Sequence, residues 1–217
     1  MDKDDSLKHR LAERLARELA DAALGRELAS IIAQDALCWQ PPEIAPDRVR
    51  AIFAFTFGNR MLANGNRTPG PVNEKLADCA AALHAVCGAP VFARWEIAEA
   101  LAGRVPATTI FPGRDARGEP VYLGTAAVVA DITARIGAPA ALGPVGVIAF
   151  RDHLFRAVST SRRAGFDAFA PADLRMPAEY DPGSGQRWCR SRMAYLLHDL
   201  MLRFAERRAA IVGAGWS

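Results

Sequence analysis

The segment RDHLFRAVSTSRR carries Asp152, His153 and Arg156 directly after the apolar run PVGVIAF. A histidine, with an ordinary pKa of about 6.5, suits general acid or base catalysis near neutral pH. Arg156 would neutralise an anionic ligand, and either Asp152 or Glu96 would orient the imidazole. The alternative is structural, with Asp152 and His153 capping a helix and Arg156 in an ion pair.

A second set of polar residues follows the apolar run VRAIFAFTF. Gly58, Asn59 and Arg60 open a loop that extends to Pro71 and is rich in Gly, Asn, Pro and Arg. Side-chain and backbone donors in such a loop suit an anion or another polar ligand. An irregular solvated loop would use the same residue types, so both interpretations stay open.

Two further positions could contribute to a ligand site. Trp95 and Glu96 come directly after a predicted strand, where they could line a pocket, although the dipole of the following helix would also account for the carboxylate. Thr125 lies near the start of a predicted helix, where its hydroxyl could cap the backbone or contact a phosphate.

Short apolar runs alternate with helical patterns through most of the chain. The runs PVGVIAF and VRAIFAFTF are predicted to be strands buried on both faces of a sheet. The other predicted strands are Pro90–Arg94, Thr108–Phe111 and Asp167–Phe169. The pattern predicts an α/β protein: a Rossmann-like three-layer domain with a five-stranded, mainly parallel sheet and extra N- and C-terminal helices. In the common strand order 3-2-1-4-5, Asn59 and His153 would face one crevice.

Composition and length favour one domain. We interpret residues 1–217 as a single α/β domain, in which 1–40 form N-terminal helices packed on the core, 49–170 hold the sheet and 186–208 form a C-terminal helix. A homodimer contact through the terminal helices is the alternative. Pro171–Gln186 reads as a long loop that could fold over the site.

The net charge of +3 comes from basic residues spread along the chain and offset by 24 acids, so we expect no nucleic-acid partner. The four cysteines form no metal-ligand pattern, and we predict free buried thiols and no metal. The charged N-terminus does not resemble a signal peptide, and no apolar run reaches about 20 residues, so we expect a cytoplasmic protein without a membrane partner.

The order of these motifs resembles the YdcF, SanA and ElyC family of bacterial α/β domains, whose activity is largely undefined. The resemblance covers about Ala51 to Arg208 and rests on GPVNEKLADCAAAL, TIFPG, YLGTAAVVADI and the pattern His153-Leu154-Phe155-Arg156-Ala157. It implies the same three-layer fold and adds Asn73 to the ligand-binding residues. Family members usually have a Gly-Gly turn where this chain has Arg94-Trp95-Glu96, and an acidic residue after Thr125 is missing here, so the chemistry at the pocket could differ.

Three functions fit these residues. The first is a small enzyme, a general acid/base transferase or hydrolase, acting on a phosphate-bearing or nucleotide-like small molecule at the carboxyl edge of the sheet. The second is a non-catalytic module that binds a nucleotide or S-adenosyl-methionine, although no GxGxxG pattern follows the first strand. The third is a tailoring enzyme of a secondary metabolic pathway. None of them requires a cofactor by sequence.

Overall fold

The computed structural model describes residues 3–113, 117 and 123–214. The chain divides into two compact units, Met1–Gln40 with His198–Ser217, and Pro41–Leu197. Within the described residues, the strands are β1 (Glu43–Ile44), β2 (Ala51–Ala54), β3 (Arg60–Met61), β4 (Arg67–Thr68), β5 (Val91–Arg94), β6 (Ala107–Ile110), β7 (Val145–Ile148) and β8 (Ala168–Pro171). The helices are α1 (Lys3–Leu19), α2 (Ala22–Ile32), α3 (Pro71–Cys87), α4 (Trp95–Leu101), α5 (Thr125–Ile136), α6 (Arg151–Arg163) and α7 (Arg192–Ala214).

The larger unit contains a parallel sheet in the order β1-β8-β7-β2-β5-β6. All of its paired strands run parallel, which requires helical crossovers and confirms the predicted Rossmann-like α/β fold. The five predicted strands follow the order β6-β5-β2-β7-β8, which is the common order 3-2-1-4-5 that was assumed for this pattern. The prediction of five strands is wrong by one, because β1 adds a two-residue strand beside β8 that no apolar run announces.

Helices cover both faces of this sheet, and β2 shows why a continuous apolar run is needed at its centre. Ile52 belongs to a core with Leu76 and Leu83 of α3, and the next residue, Phe53, belongs to a second core with Val128 of α5. Successive side chains of a strand point to opposite faces, so both must be apolar when both faces are covered.

Two connecting segments differ from the predictions. The sequence predicts a loop over 58–71 without strands, but the segment contains the antiparallel hairpin of β3 and β4, in which Met61 pairs with Arg67. The final helix was predicted over 186–208, and α7 instead begins at Arg192 after a 3-10 turn at Arg187–Cys189.

The smaller unit joins α1 and α2 to the C-terminal part of α7. Arg203 is buried, donates to Asp199 at 2.6 Å and to the Cys38 carbonyl at 2.8 Å, and its guanidinium lies 4.0 Å from the centre of the Trp39 ring. Arg207 donates to Asp35 at 2.7 Å. These contacts hold residues 35–39 against α7. The packing of residues 1–40 on the sheet and the homodimer contact through the terminal helices stay predictions.

Candidate functional site

A cleft of about 240 Å³ opens at the carboxyl edge of the sheet, where β2, β5 and β6 end. Ligands of open parallel sheets bind at this edge, because loops converge there. One wall comes from the ends of the strands and from the β3–β4 hairpin, and the other from the segment before α7. The lining residues are Asn59, Met61, Arg67, Arg94, Trp95, Glu96, Pro112, Gly185, Gln186 and Trp188.

Glu96 is the buried carboxylate of the cleft, with 1% of its surface exposed. Burial raises the pKa of Glu96 above its ordinary value, and the charge of Arg94 and hydrogen bonds from Arg94 and Asn59 act in the opposite direction. Its Oε2 atom has no hydrogen-bond partner within the described part of the chain. A carboxyl group held in this way is suited to accept and return a proton.

Arg94 is the last residue of β5 and is 4% exposed. Its Nη2 atom lies 3.5 Å from Oε1 of Glu96, which makes a buried ion pair. Its Nε and Nη1 atoms find no acceptor among residues 3–113, 117 and 123–214. Buried donors normally have acceptors, and leaving one unsatisfied costs about 1–3 kcal/mol, so a water molecule or a polar ligand is needed to satisfy the Arg94–Glu96 pair.

Asn59 is held in the cleft by a tight turn at Gly58. Gly58 has a φ of +71°, and a Cβ atom there would lie 2.4 Å from Oγ of Ser184, so this position requires glycine. The Asn59 carbonyl accepts a hydrogen bond of 2.7 Å from the backbone of Gly185. The turn after β2 therefore holds the 181–188 segment against the cleft, and the residues of the predicted loop 171–186 that reach it are Gly185 and Gln186.

Arg60 and Asn73, both predicted to bind ligand, make protein contacts instead and do not line the cleft. Arg60 donates through Nε and Nη2 to Asp181, each at 2.9 Å, and this contact lowers the pKa of Asp181. The amide of Asn73 is fully buried, accepts from the Phe57 backbone at 2.8 Å and donates to the carbonyl groups of Gly58 and Pro69. Both side chains shape the loop that carries Asn59.

The predicted residues of α6 belong to a second buried cluster. Asp152 accepts hydrogen bonds from Tyr180 at 2.8 Å, from Arg192 at 2.9 Å and from Arg151 at 3.1 Å. Burial works to raise the pKa of Asp152, but these three donors outweigh it and hold the pKa below its ordinary value. Asp152 therefore links α6 to Tyr180 and to Arg192 at the start of α7.

His153, Arg156 and Thr125 lie near this cluster. His153 is 4% exposed, with its ring edge-on to Phe55 and Tyr195. Arg156 donates to Oγ1 of Thr125 at 2.7 Å and to the Tyr195 hydroxyl at 3.3 Å. None of the three lines the cleft, so the structure does not bring Asn59 and His153 together there, and catalysis by His153 stays a prediction.

Of the residues singled out by sequence, Asn59, Trp95 and Glu96 do meet in the cleft. The sequence did not single out Arg94, Gln186 or Trp188 as site residues, and it included Arg67 only among the donors of the loop 58–71. A charged residue at the end of an otherwise apolar strand, as in VFAR, was a usable signal for Arg94. No comparable pattern marks Gln186 or Trp188, because they reach the cleft from the segment before α7.

Among the described residues, no group of three His, Cys, Asp or Glu side chains is placed to hold a metal ion. The described helices include none with the length and apolar character needed to cross a membrane. No protein-family model, curated protein or solved structure matches the chain. Functional conclusions therefore depend on the chemistry of the cleft.

Proposed function

We propose that the protein is an enzyme that acts on a phosphate-bearing or nucleotide-like small molecule in the cleft at the carboxyl edge of the sheet. The observation that carries this proposal is the buried Arg94–Glu96 pair, whose free polar atoms have no partner in the described part of the chain. A ligand would supply the missing donors and acceptors.

Glu96 is the proposed proton-transfer group. A raised pKa keeps part of the carboxyl protonated closer to neutral pH, so that it can either donate or accept a proton. Arg67 supplies an exposed positive charge beside the cleft, and Trp95 and Trp188 supply apolar ring surface. Glu96 replaces His153 in the role that the sequence suggested for the histidine.

Resemblance to the YdcF, SanA and ElyC family, a cytoplasmic location and a homodimer through the terminal helices remain parts of the same proposal. The alternative function is binding of a nucleotide or S-adenosyl-methionine without turnover. Trp95 and Trp188 are compatible with this alternative, because aromatic rings also bind bases in non-catalytic sites.

A thermal-shift panel of sugar phosphates, nucleoside mono-, di- and triphosphates and S-adenosyl-methionine tests the proposal. A ligand at a hundred times its Kd stabilises the protein by about 2.7 kcal/mol. The compounds that bind are then incubated with wild type, Glu96→Gln and the control Glu99→Gln, which changes an exposed glutamate of the same helix. We expect turnover to fall about 10²- to 10⁴-fold in Glu96→Gln alone.

Binding without product in the wild type would establish the alternative. Equal turnover by wild type and Glu96→Gln would remove Glu96 from the chemistry. If no compound of the panel stabilises the protein, the proposed ligand class is wrong.

A further inference from the structure

The two sides of α7 have the reverse of the polarity that is usual for a surface helix. Tyr195, Asp199 and Arg203 lie on its buried side, where Arg203 donates to Asp199 at 2.6 Å. On the opposite side, Leu197 and Met201 are both more than half exposed. A helix at the surface of a globular protein normally turns its apolar stripe towards the core. α7 instead pairs charged residues within the chain and leaves an apolar stripe uncovered.

The exposed residues of α7 follow the spacing of a helix–helix contact. Steps of three and four residues alternate along this side of the helix, through Ala194, Leu197, Met201, Phe204, Arg208 and Ile211. We call this line of exposed residues the α7 seam. Alternating steps of three and four residues place side chains on the line along which two helices pack. The seam is therefore suited to a second helix.

The smaller unit buries little apolar surface of its own. The two hydrophobic cores of the described residues include no residue of 3–40 or 198–214. Within these two ranges, Ala29 is the one apolar side chain that the described part of the chain buries. A small unit without a core gains stability when a partner covers its apolar surface.

The apolar surface along the seam is close to what one subunit contributes to a dimer. Six side chains of the seam and its two flanks are 38–71% exposed: Met193, Leu197, Met201, Phe204, Ile211 and Val212. At roughly 100 Å² each they present on the order of 600 Å², compared with about 800 Å² per partner in a standard interface. A contact of this size is reversible and not permanent.

From these observations we infer that a second copy of the chain covers the α7 seam, with the two α7 helices packed antiparallel about a two-fold axis. In this register Met201 faces Phe204 of the partner subunit, and Leu197 faces Arg208 of the partner subunit. Each seam residue then meets another seam residue, as a two-fold contact requires. The inference rests on the homodimer that forms part of the proposed function and specifies its surface, but it does not depend on the chemistry of the cleft.

The charge of Arg208 selects the direction of the two helices. In a parallel pair Arg208 would face Arg208 of the partner subunit, and like charges in contact are unfavourable. In the antiparallel register the two arginines lie about 16 Å apart along the helix axis, which exceeds the Debye length of about 10 Å at 0.1 M salt. The apolar stem of each arginine can then pack on Leu197 of the partner subunit.

Sedimentation equilibrium of the full chain in 0.1 M salt tests the surface. We expect wild type to approach twice the 23.4 kDa of one chain, with a Kd on the order of 10 μM. Met201→Glu should raise this Kd at least about tenfold, because it places two carboxylates at the centre of an apolar contact. Val86→Glu, which changes an exposed apolar residue of α3, should leave the Kd unchanged. Since both positions are exposed, the helical circular dichroism signal of both variants should match that of wild type.

Two substitutions at Leu197 test the direction of the helices. In the antiparallel register, Leu197→Glu places a carboxylate opposite Arg208 of the partner subunit, whereas Leu197→Lys places a second cation there. We therefore expect the Kd of Leu197→Lys to be at least about tenfold higher than that of Leu197→Glu. In a parallel pair each new charge would face its own copy, and the two variants would weaken the dimer equally.

A wild-type chain that stays monomeric at about 500 μM would overturn the inference. A dimer that Met201→Glu leaves intact would overturn the assignment to the α7 seam, and equal effects of the two Leu197 substitutions would overturn the antiparallel direction. Turnover by wild type and Glu96→Gln is measured separately. Failure of the dimer therefore leaves the proposed enzyme in place, and failure of the enzyme leaves the dimer in place.

Discussion

The Arg94–Glu96 pair and the Asp152 cluster occupy equivalent positions, each where a parallel strand gives way to a helix, yet they differ in how their polar atoms are satisfied. Tyr180, Arg151 and Arg192 all donate to Asp152. Glu96 keeps one oxygen without a partner, and Arg94 keeps two nitrogens, within the described residues.

The pKa values of the two carboxyl groups are shifted in opposite directions. Burial raises the pKa of Glu96, because the contacts from Arg94 and Asn59 do not compensate for it. Burial also acts on Asp152, but its donors outweigh that effect and the pKa of Asp152 is lowered. A satisfied buried carboxylate stabilises a fold, whereas an unsatisfied one beside a cleft is available for a ligand.

The largest expected effect on stability is that of Asp152→Ala. The change leaves the Tyr180 hydroxyl and two arginines without their common acceptor, and since both arginines are about half exposed we expect a loss of about 2 kcal/mol. Urea denaturation measures it. Asp131→Ala, which breaks a surface pair with Arg135, should cost less than about 0.5 kcal/mol; a similar cost for both would mean that the cluster does not stabilise the fold.

Gly58→Ala should disturb the cleft without touching the Asp152 cluster. The new Cβ atom would overlap the Oγ atom of Ser184 in a backbone conformation that alanine adopts at a cost of about 1–2 kcal/mol, so we expect a total loss of about 1.5 kcal/mol. Gly65→Ala is the matched control, because Gly65 has a φ of +83° with open space around it. Equal losses in thermal denaturation would show that Ser184 moves away freely.

Glu96→Gln should have the smallest effect on stability and a characteristic dependence on pH. Because the pKa of Glu96 is raised in the folded state, the folded protein holds more protons between the unfolded and folded pKa values, and wild-type stability falls as pH rises through that window. The variant lacks this loss, so its stability relative to wild type should increase with pH.

For Asp152→Asn, the stability relative to wild type should change with pH in the opposite direction and decrease as pH rises. The stabilisation that Asp152 provides is present above its unfolded pKa and is lost as pH falls through its lowered folded pKa. Urea denaturation of both variants and wild type from pH 3 to 8 gives the two slopes. Slopes of the same sign would contradict the contrast between the two sites.

Much of the fold could be predicted, because a parallel sheet covered on both faces requires continuous apolar strands such as VGVI and AIFA. β1 could not, because its two residues are defined by pairing with β8 and not by their own pattern. In the site, Glu96 and Trp95 could be predicted from the sequence because they directly follow a strand end. The sequence marked the loop that carries Arg67, but the approach of Arg67 and Trp188 to the cleft could not be predicted, because it depends on a hairpin register and on the contact between Asn59 and Gly185.

By itself the sequence determined the alternation of strands and helices and the edge at which polar residues collect, since both follow from local periodicity. Which of those polar residues are satisfied was decided by the tertiary structure. Hydrogen bonds between residues far apart in the chain, such as those of Tyr180 and Arg192 with Asp152, commit one carboxylate to the fold. Oε2 of Glu96 lacks such partners in the described part of the chain, and this difference is why we propose Glu96 for the chemistry of the cleft.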